Sequence, residues 1–359
     1  MIRSLDLFTG SGSTALALRD IVRPVLYCDI DPFVQNHLLR LIADRCLPDA
    51  PLVTDIRTVN SSLSNVDRFD IVIGGAPCIG HSSMGLKQGF VHPETKLFFE
   101  MMNVIAMNRP PIVILENTPN ILKPDQFQQV IEIFNTLDYS LCWSLVYAYE
   151  VGSPQNRRRW FCIAHRNSAR AKSLMQKLFF ALSKSADPNN WQKEPVPRMT
   201  RTKQFAYTKR SALLGNAIVP QQLRFAILRI VGWILQPSQR FQSLHDRFPA
   251  HGIAKKGRVF AVSGTEQSSK PNLGLILRDD SAHSGSISSK CIALWPTPRA
   301  KNYGHCLHLT ARCSLDLATA VRFEQSTKYV SGDRINLAWV EWLMGFPPGW
   351  TDPNSKIIM

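Results

Sequence analysis

Through the first 165 residues short apolar runs alternate with helical patterns, and no other feature constrains the fold of this chain as strongly. Leu5 to Phe8, Val25 to Cys28, Phe69 to Ile73, Ile112 to Leu115 and Trp160 to Ala164 have the length and apolar content of buried strands. Thr14 to Arg19, Pro32 to Ile42 and Leu97 to Met107 read as helices. Strands and helices in this succession close most simply into a parallel sheet with right-handed crossovers and helices on both faces. The expected class is α/β, with a doubly wound, Rossmann-like sheet. Ligands of such sheets bind outside the carboxyl ends of the strands, so the residues just past each run are the first candidates for function.

Past the first run comes Asp6-Leu7-Phe8-Thr9-Gly10-Ser11-Gly12-Ser13. Glycines there let the backbone approach a ligand closely, and the following helix N-terminus can face an anionic group. Asp29 follows the second run, where a carboxylate can accept bonds from ribose hydroxyls. Asp55, in Thr54-Asp55-Ile56, follows the next candidate strand, where an adenine amino group would be met. This layout suits S-adenosylmethionine as well as NAD, and a mere tight turn would also explain the glycines.

Gly74-Gly75-Ala76-Pro77-Cys78 then places a cysteine on a turn at the mouth of a strand. Glu116-Asn117 follows another apolar run, and Gln155-Asn156-Arg157-Arg158-Arg159 lies further along. Alone, Cys78 could be an inert half-buried thiol and Glu116 the cap of a turn. Together they supply a nucleophile, an acid and an arginine fork. Alternation along a strand puts Arg157 and Arg159 on one face and points Arg158 away. The stretch after Cys78, with Gly80, Ser82, Ser83, Gly85, Lys87 and Gly89, is too glycine-rich for a stable helix. It is expected to close over the substrate, with a plain surface loop as the alternative.

In this combination and order, the motifs resemble the cytosine carbon-5 DNA methyltransferases of bacterial or phage type, and the resemblance spans most of the chain. Asp6 to Gly12 looks like the family's cofactor loop, and Pro77-Cys78 like its catalytic dipeptide. Glu116-Asn117 resembles its acid motif, Gln155-x-Arg157-x-Arg159 its arginine motif, and Gly215-Asn216-Ala217-Ile218-Val219-Pro220 its terminal cofactor-side motif. Ser13, Ile79 and Ala217 depart from the pattern, which has a further glycine, a glutamine and a serine there. The resemblance implies a methyltransferase sheet carrying a second, smaller, irregular or β-rich DNA-recognition lobe. It implies S-adenosyl-L-methionine as cofactor, held by Phe8, Gly10, Gly12, Asp29, Ile30, Asp55, Ile56, Pro77, Leu97 and Asn216. It implies catalysis by Cys78, Glu116, Arg157 and Arg159, without a metal. Ser82, Lys87, Arg198, Arg299 and Lys301 are the expected DNA contacts. The partner is double-stranded DNA, with a cognate restriction endonuclease as a separate protein and the chain itself a monomer. A tRNA methyltransferase or a non-catalytic DNA-binding relative are the alternatives on the same scaffold.

Charge and order place the lobes. Residues 1 to 165 carry 14 basic and 16 acidic residues, whereas 166 to 359 carry 28 and 11. A nearly neutral half followed by a strongly basic one fits a small-molecule lobe and a polyanion-binding lobe. The expected division is a catalytic domain at 1–236, with a basic insert at 166–212, and a target-recognition region at 237–359. Within the latter, 238 to 333 would do most of the recognition, and Trp295-Pro296-Thr297-Pro298-Arg299 would be a rigid exposed segment suited to a groove. The competing placement is the insert, with Arg198, Arg201, Lys203, Lys209 and Arg210. Trp339 to Trp350 resembles a helix-and-turn motif that normally precedes the Gly-Asn element, so the order is permuted. Eight scattered cysteines without a CxxC pair argue against zinc fingers and a disulfide framework and fit a reducing compartment, the cytoplasm of a bacterial or phage-infected cell. No stretch long enough to cross a bilayer is expected, and a strand-like start leaves no room for a secretion signal.

Overall fold

A computed structural model describes residues 1–65, 68–77, 96–184, 191, 193–236, 241–243, 248–262, 294–298, 317, 320–321 and 334–357. The first half alternates as expected: β1 (Ile2–Leu7), α1 (Ser13–Leu18), β2 (Val22–Cys28), α2 (Pro32–Ala43), β3 (Leu52–Val53), α3 (Val59–Ser62), β4 (Ile71–Gly74), α4 (Lys96–Asn108) and β5 (Ile112–Asn117). There follow α5 (Pro124–Thr136), β6 (Tyr139–Tyr147), β7 (Arg158–Arg166), α6 (Ala169–Lys184), β8 (Met199–Thr200), α7 (Tyr207–Asn216) and α8 (Pro220–Leu235). The last described elements are β9 (Phe241–Ser243), β10 (His251–Lys255), β11 (Arg258–Val262), β12 (Arg334–Ile335) and α9 (Leu337–Leu343).

Ten of these strands form one sheet in the order β3-β2-β1-β4-β5-β7-β6-β10-β11-β9. The first five are parallel, and every pairing from β5–β7 onward is antiparallel. Because β1 has β2 on one side and β4 on the other, the winding reverses there and opens a crevice at the carboxyl ends of both strands. Alternate residues of β5 feed opposite layers. Val113 and Leu115 pack toward α4 and α5, while Ile112 and Ile114 pack toward α6 and α8. A third apolar cluster joins the two ends of the chain, setting Leu38, Leu41 and Leu47 against Leu213, Leu337, Trp339, Leu343 and Trp350.

Three features of the structure bear on the expected lobes and spans. Residues 251 to 262, assigned from composition to the recognition region, continue the main sheet by pairing β10 with β6. The pairing is tight there: Gly252 lies opposite Trp143, and any side chain at that position would collide with the indole. Secondly, the basic insert begins as core, because Leu174, Met175, Leu178 and Leu182 of α6 are buried against the sheet. Thirdly, Tyr207–Leu235 is long and apolar enough, by length and composition alone, to cross a membrane. It is interrupted between α7 and α8, and 61% of its most apolar window is buried inside the protein, as befits a core helix.

Candidate functional site

Five of the segments singled out in the sequence lie at the same end of the sheet, because each stands at the carboxyl end of a neighbouring parallel strand. After β1 the backbone enters the left-handed region at Phe8, Gly10 and Gly12 (φ 55°, 55° and 74°). A side chain at Gly12 would meet Leu47 Cδ1 at 2.8 Å, so close packing as well as φ demands glycine. At Gly10 the nearest atom would be 3.8 Å away, which leaves open space above the loop. Asp29, just past β2, ties the two loops together: its Oδ2 accepts from the Gly10 amide at 2.8 Å and its Oδ1 from the Asp31 amide at 3.1 Å. Burial raises its carboxyl pKa above the ordinary value, and the Gly10 bond works against that rise. Ile30 beside it is 59% exposed, an apolar surface offered to the crevice.

Past β3, Asp55 caps the short helical turn Ile56–Thr58 and is clamped by Arg57, whose Nη2 donates to Oδ2 at 2.6 Å. That clamp holds the Asp55 carboxyl below the usual range. Ile56 is buried, Leu97 is half-buried on the first turn of α4, and Asn216 is exposed at the end of α7. Beneath the first loop, Asp6 accepts from Thr14 Oγ1 at 2.6 Å, and burial pushes its carboxyl up to about 7. Ser11 Oγ is buried with no hydrogen-bond partner among the described residues. An orphaned hydroxyl costs about 1–3 kcal/mol, so this loop fits a polar ligand that supplies the missing partner.

The second half of the crevice is the mouth of β4 and β5. Gly75 lies so close to β5 that a Cβ on it would come within 2.8 Å of Glu116 Oε2. Asn117 Nδ2 donates to the Ala76 carbonyl at 3.5 Å, holding the same turn, and Pro77 follows. The strand pairing sets Glu116 opposite Phe161, and Arg159 Nε reaches Glu116 Oε1 at 3.0 Å. Burial raises the Glu116 carboxyl pKa, opposed by the charges of Arg159 and Arg157. Cys78 is the next residue after Pro77 and lies outside the described residues, as do Ser82, Lys87, Arg299 and Lys301. The described thiols are poor nucleophiles: Cys28, Cys46, Cys142 and Cys162 are buried and free, and burial raises the pKa of each.

The two arginines expected to share one role are divided. Arg159 faces Glu116, whereas fully buried Arg157 donates to the backbone carbonyls of Pro298, Gly215 and Ala217. It precedes β7, so strand alternation did not govern its direction. Arg157 thus fastens the arginine loop to the Gly-Asn segment, and its charge still acts on Glu116. Arg158 is exposed and donates to Tyr147 Oη at 3.3 Å. Arg198 is held by Glu194 at 2.8 Å and lies over the Trp295 ring, while Arg210, offered as a phosphate contact, is buried in an ion-pair network. Trp295 is half-buried against Trp339 rather than exposed, and its backbone bridges Pro154 and Asn156. Sequence reasoning missed Ser153, Gln155 as a structural donor, and Trp350, which donates to the Ser11 carbonyl at 2.8 Å. The signal for Trp350 was the permuted Gly345-Phe346-Pro347 turn, whose partner no pattern identified.

The family model described as C-5 cytosine-specific DNA methylase matches residues 2–270. The Type II methyltransferase M.CviJI of Paramecium bursaria Chlorella virus IL3A is 27% identical over 367 residues, spanning 96% of each chain. M.SsoII of Shigella sonnei is 31% identical over 166 residues, 45% of this chain and 42% of its own. M.HhaI of Haemophilus parahaemolyticus is 29% identical over 170 residues, 46% and 50%. The chain thus spans half or less of these two bacterial relatives, but nearly the whole of the viral one.

Proposed function

This chain belongs to the C-5 cytosine-specific DNA methylase family, a family of transferases, and from that premise we propose that it methylates carbon 5 of a cytosine flipped out of duplex DNA, with Cys78 as nucleophile. The observation that carries the proposal is the convergence of the turn leading to Cys78 on the Glu116–Arg159 pair.

Carbon 5 of cytosine is a poor nucleophile while the ring stays aromatic. The Cys78 thiolate adds to carbon 6, and the electron pair displaced from the 5,6 double bond makes carbon 5 enamine-like. Glu116, its pKa raised by burial against the opposing charges of Arg159 and Arg157, can hydrogen-bond or protonate ring nitrogen 3. Arg159 holds Glu116 in place and can donate to the carbonyl oxygen at ring carbon 2, where negative charge develops. Phe8 to Gly12, Asp29 and Ile30 would hold S-adenosylmethionine, which would supply an electrophilic methyl group; carbon 5 takes that methyl, and the S–CH3 bond electrons stay with the sulfur, which leaves as the neutral thioether. Loss of the proton from carbon 5 to water then restores the double bond and expels the Cys78 thiolate. Flipping the base costs a few kcal/mol, regained in the pocket.

We assign target recognition to residues 238–333, less the hairpin 251–262 that belongs to the sheet. Trp295 to Pro298 would report on bound DNA because they lie along the arginine loop. The role is protective methylation, alone or beside a separate restriction nuclease. Bisulfite sequencing of DNA from cells producing the chain tests all of this at once. Methylated cytosines in one sequence context, absent with Cys78→Ser, are expected; unmodified DNA would refute the proposal.

A further inference from the structure

We propose that Trp350 is a positioning residue for the cofactor loop, so that the C-terminal turn of the chain sets the affinity for S-adenosylmethionine. This rests on the cofactor assignment above.

The indole of Trp350 is fully buried, and its Nε1 donates to the carbonyl of Ser11 in the middle of the Thr9-Gly10-Ser11-Gly12 turn. His37 Nε2 lies 3.3 Å from the same oxygen, and its ring meets Trp350 edge-on. The turn that delivers Trp350 is itself rigid. Gly349 adopts φ 79° with no room for a side chain against Ser355, its amide donates to Glu341 Oε2 at 2.9 Å, and Arg40 donates to the carbonyls of Gly349 and Trp350. Phe346 stacks on the indole at 5.7 Å.

The same element also grips the catalytic side. The Leu343 carbonyl, at the end of α9, accepts from Gln155 Nε2 at 2.7 Å and from Ser153 Oγ at 2.9 Å. One short segment therefore fixes both the loop ahead of Arg157 and Arg159 and the loop that would cradle the cofactor. Ser11 contributes both the carbonyl that Trp350 grips and a buried hydroxyl left without a partner, so a shift of that peptide moves the middle of the loop assigned to the cofactor.

Trp350→Phe keeps the ring packing and removes the donor. Titration calorimetry with S-adenosylmethionine, without DNA, should show a Kd raised about 3- to 10-fold, the worth of one hydrogen bond. Turnover at saturating cofactor should change less than twofold while KM for the cofactor rises in parallel. Amide exchange of Gly10 to Gly12 without cofactor should quicken. Val340→Ala, which weakens the same helix but leaves the Trp350 donor in place, should raise Kd and quicken loop exchange less than Trp350→Phe does. An unchanged Kd for Trp350→Phe, or equal losses in both variants, would overturn the proposal. If Trp350→Phe does not fold, Arg40→Gln, which loosens the turn from outside, must raise Kd in the same direction. Should the unaltered protein bind no S-adenosylmethionine, the cofactor assignment falls instead, and the exchange comparison alone decides whether Trp350 orders the loop.

Discussion

Two of the arginine–glutamate pairs among the described residues, Arg210–Glu341 and Arg159–Glu116, have similar length and opposite character. Arg210 and Glu341 are 3.3 Å apart with side chains only 3% and 0% exposed, and both carboxylate oxygens of Glu341 accept hydrogen bonds. Glu341 accepts from the Thr351 amide and hydroxyl and from the Gly349 amide, and Arg210 also holds Asp352 and Thr351. Arg159 and Glu116 are 3.0 Å apart, 12% and 19% exposed, at the open end of the sheet. Among the described residues Glu116 has that one partner. A buried pair whose bonding is saturated can hold the C-terminal segment but can do no chemistry. A pair with unspent acceptor capacity beside a nucleophile's turn is less well satisfied and is poised for a substrate.

Substitutions should separate the two. The largest effect is expected for Glu341→Ala, which strands a buried guanidinium and should cost about 3–5 kcal/mol in urea unfolding. Comparable loss from Glu116→Ala would erase the distinction. Next, Glu116→Gln should lower turnover about 10²- to 10³-fold, in line with removing one stabiliser of developing charge. Its thermal midpoint should hold or rise, and Glu341→Gln should show the reverse pattern.

The pH dependence sharpens the same contrast. Because burial raises the Glu116 pKa, the folded state favours its protonated form. The stability linked to this group is fully present below the ordinary glutamate value and is lost as pH rises through the raised one. The melting advantage of Glu116→Gln over the unaltered protein should therefore vanish in acid and grow toward neutral pH, in paired thermal scans. Arg157→Lys should destabilise by about 1–3 kcal/mol, since a lysine cannot span three carbonyls. The smallest effect belongs to Arg198→Lys, whose half-exposed pair with Glu194 is worth about 0.2–1 kcal/mol.

The parallel half of the sheet was legible because each strand is a short apolar run, and the candidate site residues Asp29, Asp55 and Glu116 each stand just past one. The β10–β11 hairpin was not, because its place beside β6 depends on Gly252 fitting under Trp143, a contact between residues 109 apart in sequence. Arg157 was paired with Arg159 by strand alternation, yet β7 begins only at Arg158. The helix-and-turn motif at Trp339 to Trp350 is legible as out of order, but the grip of Trp350 on Ser11 joins opposite ends of the chain and leaves no local trace.

The central claim is a transient bond between one particular sulfur and carbon 6 of cytosine. A duplex carrying 5-fluorocytosine at the methylated position has no proton to lose from carbon 5, so the adduct should persist. Incubated with S-adenosylmethionine and mapped by peptide mass spectrometry, the protein should carry the crosslink on the peptide containing Cys78. An absent adduct, or one on any other cysteine, would contradict the mechanism.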